Sequence, residues 1–490
     1  MMRWLALVLS LLTSVGVAAE LNCASSAPRR AVDAARKGPL TERESTVARI
    51  AWKYFENNLQ AKTGLVNAVD KYPSTTMWDT ASYIAALVSA RELGVIDKQT
   101  FDSRFAALLR TLNSISFFRD ELPNKVYHTE SAQKVDYTNK PGEIGYSALD
   151  LGRLLIWLAI AKERYPEHAN AVDRAVLRWD FTHVVDRCGT LFGAMVGPDK
   201  KTRYVQEGRL GYEEYAAKGF QLWGLSTCLA SKPEPYNTVP MFCVEVPYDS
   251  RDPRTLSQHN YVVSESYVLD GVELGWDLPW DRTSDDAHYT HAWMAEFAQR
   301  IYQVQEARYA QAGILTARSE HQLDRSPYFV YDTIYSDGFP WNTITDKGVF
   351  AADAAAISLK AALGMWALWR TPYTDLLFDA IAESYDPQRG FHEGILESGK
   401  GPIHSFTANN NGIMLEALLF KVQGKLLQRG PAAPGLWERT LSDSYQQNVK
   451  HRPVFLNGSS VAEKAGAACD CAVCQDDMPH KAPGYAACRR

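Results

Sequence analysis

Five times along the chain a Gly or Asn turn precedes a short aromatic or β-branched run, then a polar loop, then a long apolar stretch. Gly64-Leu65-Val66 leads to WDTASYIAALVSA, and Asn124-Lys125-Val126-Tyr127 to EIGYSALDLGRLLIWLAIA. Gly189-Thr190-Leu191-Phe192 leads to GYEEYAAKGFQLWGL, Gly338-Phe339-Pro340-Trp341 to AADAAAISLKAALGMWAL, and Gly390-Phe391-His392-Glu393 to NNNGIMLEALLF. Such repetition restricts the fold more than any single motif, because each unit must bury its apolar face against its neighbours. The units are less regular than a helical solenoid, whose repeats run to about 35–45 residues. Long loops alternating with helix pairs instead predict an all-α chain. Its form is an (α/α)6-type toroid, one ring of helices inside another, with long loops and short hairpins gathered on one face. Few segments alternate with period two for more than five residues, so no large sheet is expected. The Ala and Gly of the repeated helices suit close helix–helix approach.

Helical periodicity begins near Thr41, with Ile50, Trp52, Tyr54, Phe55 and Leu59 in register. Further helices are predicted at 78–94, 97–113, 143–164, 167–184, 211–230, 284–312, 351–369, 373–384, 408–423 and 434–448. Residues 1–19, MMRWLALVLSLLTSVGVAA, read as a secretory signal peptide: Arg3, then an apolar run, then small residues for cleavage. Residues 20–40 read as a tether, 41–450 as the catalytic toroid, and 451–490 as a Cys-rich tail. No later stretch is long and uncharged enough to span a bilayer. The expected location is periplasmic or secreted. Of eight cysteines, four lie in the tail, at Cys469, Cys471, Cys474 and Cys488. Export favours disulfides over zinc for them.

A net charge of −5 argues against a nucleic-acid partner. The loops entering the repeated helices are instead rich in acids and aromatics, the chemistry of a sugar site. Rings stack on pyranose faces, carboxylates bind hydroxyls, and a pair of acids can protonate a leaving oxygen and activate water. Glu207 lies in QEGRLGY, an acid and Arg209 bracketed by glycines just before a helix, and is the expected proton donor. Asp79 or Glu393 is the expected base, with Asp136 and Glu143 in reserve. Thr76-Met77-Trp78-Asp79 has capping-box spacing, so Asp79 is equally a helix-start residue. A helix N-terminus stabilises an ionised acid, which suits a base. Trp78, Arg209, Tyr212 and Trp341 are expected to form sugar subsites, with Tyr83 and His392 completing the binding set. In SESYVLDGVELGW, Asp270 reads as a helix cap and Glu273 as a solvated residue.

There is no H-E-x-x-H and no G-x-S-x-G. Gly394 to Lys400 matches a phosphate-loop spacing, but Gly401 replaces the required Ser or Thr. His288 and His291 share a helix face without a third ligand, so no metal and no cofactor are implied.

The strings TMWDTASYIAALVSARELGVID, EGRLGYEEYAAKGF, YFVYDTIYSDGFPWNTITD and TPYTDLLF resemble a bacterial family, the domain of unknown function numbered 3131, over about residues 42–425. The family looks glucoamylase-like, with relatives in settings of exported glucan and exopolysaccharide metabolism. The resemblance implies the toroid and carbohydrate chemistry but no settled catalytic pair. The expected activity is therefore an exported glycoside hydrolase acting on a polysaccharide or oligosaccharide, a β-glucan or exopolysaccharide. The alternatives are a non-catalytic polysaccharide-binding or assembly protein, and a polysaccharide lyase using Arg203, Arg209, Tyr204 and His404.

Overall fold

The computed structural model describes residues 35–186, 188–227, 229–252, 259–276, 278, 292–428 and 437. The signal peptide, most of the tether, the Cys-rich tail, His288, His291 and the 434–448 segment lie outside these residues, Trp437 excepted.

Eleven α-helices are present among the described residues: α1 Glu42–Asn57, α2 Met77–Glu92, α3 Lys98–Leu112, α4 Ala148–Arg164, α5 Ala169–Leu177, α6 Tyr212–Leu222, α7 Glu265–Leu269, α8 Ala292–Ala312, α9 Leu359–Leu368, α10 Pro372–Ile381 and α11 Ala408–Gln423. They fall into two kinds. Helices α2, α4, α6, α9 and α11 are buried nearly all round, which marks helices enclosed by protein. Helices α1 and α3 bury one face and leave charges on the other, as surface helices do. The packing follows from this. Helix α2 packs on α4, α4 on α6, α6 on α7, α7 on α9, α9 on α11, and α11 back on α2, so six helices close a ring. Outside it, α1 packs on α2 and α11, α3 on α2, α5 on α4, α8 on α7, and α10 on α9.

The small residues of the inner helices allow this closeness. A Cβ on Gly152 of α4 would stand 2.6 Å from the Cβ of Ala216 on α6, and one on Gly219 of α6 would stand 2.0 Å from the Gly152 carbonyl oxygen.

The expectation of an all-α chain is corrected. Eighteen strands, each of two to six residues, form seven small antiparallel sheets among the described residues. They were illegible as period-two patterns because most are too short to alternate. Three of them lead directly into inner helices. Ser74–Thr76 pairs with Val126–His128 just before α2, and Gly145–Tyr146 pairs with Phe192–Val196 just before α4. Ala356–Ser358 pairs with Gly394–Leu396 just before α9. Gly145 holds φ +109° and lies so close to the Ala194 carbonyl that no side chain fits.

Sequence also missed α7, which continues as one π-helical turn over Asp270–Leu274. Asp270 is no cap: it is buried and paired with Lys218 of α6 at 2.7 Å. Nor is Glu273 solvated, since it is fully buried and accepts from the Trp157 indole N–H at 2.7 Å.

Candidate active site

The starts of inner helices converge on one cluster of charged side chains. Trp78, the second residue of α2, donates its indole N–H to Glu265 Oε1 at 3.2 Å and to Asn409 Oδ1 at 3.1 Å. Glu265 opens α7, and Asn409 lies in the first turn of α11. Asn409 Nδ2 donates to Glu265 at 2.7 Å, and Lys360 of α9 lies 2.5 Å from the other Glu265 oxygen. Arg153, from within α4, stacks 4.8 Å over the Trp78 ring, donates to Asn409 and Ser82, and pairs with Glu416 at 2.8 Å. Burial would raise the Glu265 carboxyl, but Lys360 and Asn409 hold it below the usual carboxylate range.

Two acids occupy matching positions. Thr76 caps α2 by accepting from the Asp79 N–H at 3.1 Å, and Ser147 caps α4 by accepting from the Asp150 N–H at 3.2 Å. Asp79 and Asp150 are thus third-residue acids of neighbouring inner helices. Both remain partly solvent-accessible. Burial raises the Asp79 carboxyl, against the Thr76 hydroxyl, Arg153 and Lys360. Burial, with the nearby charges of Glu207 and Asp79, pushes Asp150 up to about 7. Glu207 Oε2 accepts from Ser147 Oγ at 2.8 Å and from the Leu149 N–H at 3.2 Å. It therefore sits on the α4 N-terminus, where a negative charge is favoured. The two carboxyls are neighbours, Asp150 raised by burial and by the Glu207 charge, and Glu207 hydrogen-bonded at the helix start.

Beyond them opens a cleft of about 900 Å³, lined in part by Arg209, Tyr261, His259, Tyr331 and Asp337. Arg209 joins cleft to cluster: its guanidinium lies 5.2 Å over the Tyr212 ring and 4.5 Å over Tyr261. Tyr212 donates its hydroxyl to Glu320 at 2.8 Å and packs 6.0 Å from Trp78. Burial and the Glu265 charge raise Glu320, opposed by Arg209 and Lys360. Tyr137, 66% exposed, brings its hydroxyl into the field of Asp150, Glu207 and Tyr331.

The structure brings together Asp79, Glu207, Trp78, Arg209 and Tyr212 of the sequence-predicted residues. Of the others, Glu393 adjoins the cluster but is buried, and the rest lie elsewhere. Glu393 is only 2% exposed, accepts from Thr407 Oγ1 at 2.8 Å, and is pushed by burial to about 7. It stands behind Lys360, without the solvent access an attacking water needs. Asp136 ties its own turn, accepting from Thr138 and Lys140. Glu143 is exposed and paired with Lys134. Tyr83 is a core residue stacked on Phe55 at 5.8 Å. His392 is buried against Phe406 and His404. Trp341 lies beneath Arg308, at 4.3 Å, in a separate ion-paired group with Glu397.

Sequence reasoning missed Asp150, Glu320 and Lys360, and noted Glu265 in SESYVLDGVELGW without giving it a role. Asp150 had a signal: Ser147-Ala148-Leu149-Asp150 repeats the cap spacing of Thr76 to Asp79. The other three carry none, being single charges in apolar or mixed strings. One group of potential metal ligands occurs among the described residues, Asp102, Glu167 and His168. Lys98 already pairs with both of its acids, so it reads as a salt-bridge knot.

A family model described as a protein of unknown function, DUF3131, matches residues 46–424. The chain belongs to the DUF3131 family. No curated protein matches it. Among solved structures it is similar to a putative glucoamylase from Bacteroides caccae, with TM-score 0.56, 12% identity, and coverage of 83% of this chain and 97% of that one. It is similar to an endo-β-1,2-glucanase from Chitinophaga pinensis, solved with sophorotriose and glucose, with TM-score 0.55, 11% identity, and coverage of 79% and 94%. A mutant endo-β-1,2-glucanase from Talaromyces funiculosus, in complex with β-1,2-glucan, gives TM-score 0.55, 13% identity, and coverage of 85% and 91%. At these identities the likeness shows a common fold. No helix among the described residues is long and apolar enough to cross a membrane.

Proposed function

We propose that this DUF3131 chain is an exported glycoside hydrolase that cleaves a β-glucan, built on an (α/α)6-type toroid spanning residues 41–450. The closed ring of inner helices, its outer partners and the glucanase-like fold support the toroid. The leader-like residues 1–19 support export.

The observation that carries the activity is the carboxylate pair at the start of α4. Asp150, raised to about 7 by burial beside Glu207 and Asp79, is poised to give a proton near neutrality. Glu207 is held beside it by the Ser147 hydroxyl and the Leu149 N–H. A carboxyl raised by burial beside a second carboxyl is the arrangement expected of a general acid and its partner. Asp150 is therefore the donor in this reading, and Glu207 passes from donor to second carboxyl of the pair. Asp79 serves as a further base or hydroxyl ligand. Trp78 and Tyr212 shape the floor, and Arg209 and Tyr137 contact the sugar.

The test is a reducing-end assay with product mass spectrometry across a polysaccharide panel that includes β-1,2-glucan. The full chain would be run beside Asp150→Asn and Glu207→Gln. New reducing ends in the wild type, lost about 10²-fold or more in Asp150→Asn, support the reading. A variant within threefold of wild type removes Asp150 as donor. Products lighter by one water overturn hydrolysis in favour of elimination.

A further inference from the structure

Large apolar side chains are exposed in one concentrated stretch. Tyr328, Phe339, Val349 and Phe350 are each 60–66% exposed, and Phe329 is 37% exposed. All five fall within 23 residues, and the same stretch gives Tyr331, Asp337, Gly338, Asp346 and Lys347 to the cleft wall.

His259 gathers these side chains. Its Nδ1 meets Asp337 Oδ2 at 2.9 Å, in the turn that ends at Phe339. Its Nε2 faces the Asp346 carbonyl oxygen at 3.3 Å, in the turn that ends at Val349 and Phe350. Gly348 lets this second turn close in: a Cβ there would stand 3.0 Å from His259 Cε1. The His259 ring also lies 6.4 Å from Tyr331, which packs edge-on to Phe329 at 5.4 Å and stacks on Tyr261 at 4.4 Å. Two turn tips and one strand therefore meet at the mouth of the cleft around one histidine. Exposing several apolar side chains on turns gathered at one histidine costs solvation, and exposed apolar patches mark binding surfaces.

We propose that this rim, led by Phe339 and Phe350, is a second sugar-binding surface that holds a glucan chain where it leaves the cleft. The substrate class is accordingly a polymer, bound beyond the units that are cleaved. The inference rests on the hydrolase reading for what the cleft does, and on continuity between cleft wall and rim for what the rim holds. Rings suit pyranose C–H faces, and Asp337 and Asp346 between them supply acceptors for hydroxyls.

The test uses the full chain and a Phe339→Ala/Phe350→Ala double variant. Both side chains are exposed, and thermal melting checks that the fold is kept. Kinetics are measured on long linear β-1,2-glucan and on its pentasaccharide. Migration is measured in gels containing the same polymer. The expected result is a KM on polymer raised about tenfold, roughly the weight of 1.4 kcal/mol. The kcat and the pentasaccharide kinetics stay unchanged, and retardation in the gel is lost. Unchanged polymer kinetics and retardation overturn the proposal. So does an equal loss on the pentasaccharide, or a wild-type dimer that the double variant dissolves. A wild type that cleaves neither substrate, yet is retarded in the gel when the variant is not, removes the hydrolase reading and leaves the rim standing.

Discussion

Lys360 Nζ lies 2.5 Å from Glu265 Oε2, with the two side chains 3% and 1% exposed. The pair links α9 to α7, neighbours in the inner ring. Glu265 in turn holds Trp78 and Asn409, so one ion pair fixes the starts of four inner helices. Removing one partner of a buried pair strands the other charge and typically costs about 3–5 kcal/mol. Lys360→Met is expected to lose about that much in urea unfolding. Lys360→Arg, which keeps the charge, should retain more stability. A Lys360→Met chain within 1 kcal/mol of wild type would mean the pair contributes little.

The α4–α6 contact makes a second prediction. Gly152 and Gly219 face each other with no space for a methyl group. Overpacking a tight interface costs about 1–3 kcal/mol. Gly219→Ala points at backbone rather than at a movable side chain, so it is expected to fall at the upper end. Gly224→Ala, where a Cβ would meet nothing, isolates the effect of φ +78° at an open turn. Urea titration of the three chains checks the ranking.

What was legible in the sequence follows from which forces are local. Five of the six inner helices announced themselves because burial on every side demands long apolar runs, as in WDTASYIAALVSA; α7, five residues long, did not. The start of α2 was legible through its Thr76 cap, which also found Asp79, whereas α4 and α9 begin at Ala148 and Leu359, after the expected 143 and 351. Glu265 and Lys360 were not legible as site residues, because a single charge shows its importance only through a partner about a hundred residues away. Glu393, between glycines, looked functional. Those glycines instead serve two short strands, Gly390 paired with Asp386 and Gly394 with Ser358, and the acid between them is buried. Trp341 and Tyr83 failed for a common reason: an aromatic beside a polar loop has the same sequence signature whether it faces sugar or core.

Beneath the loop bearing Glu207 and Arg209 lies a knot of acids that makes stability depend on pH. Glu213 and Glu214 open α6, and Gln206 bridges Glu213 and Glu234 at 3.1 and 2.8 Å. Arg251 pairs with Glu234 at 3.0 Å and with Asp249. Burial, with the Glu234 charge, raises Glu214 to about 8, and burial raises Glu213 well above the usual range. A carboxyl raised on folding binds its proton more tightly in the folded chain. Its stabilising contribution is complete below the unfolded value of about 4.5 and is lost as pH rises toward about 8. Melting temperature is expected to fall between pH 5 and 8 on account of these groups. Glu234→Gln removes a charge that raises both neighbours, so its melting curve should vary less with pH. An unchanged slope in that variant would place the dependence elsewhere.

Asp150 sets activity and stability against each other. Its carboxyl is raised to about 7 from an ordinary 3.8, chiefly by burial and then by Glu207 and Asp79. Protonated, it can serve as a general acid. Ionised, it places a negative charge in a desolvated site beside two other carboxyls. Activity is therefore expected to fall as pH rises through about 7, on the limb that reports the acid. The folded chain also loses stability over the same rise, because ionisation is harder in the fold than in the unfolded chain. Asp150→Asn removes both effects. It leaves a neutral side chain where the acid is neutral when functional, so it should lose turnover by about 10²-fold or more. At pH 8 it should melt at a higher temperature than wild type, and near pH 4 at a similar one. Catalytic acids commonly trade stability for function in this way. Parallel pH–rate and pH–melting curves of the two chains test the assignment. A variant that keeps the alkaline fall in activity, or that melts lower than wild type at pH 8, would show that Asp150 neither donates the proton nor carries the strain.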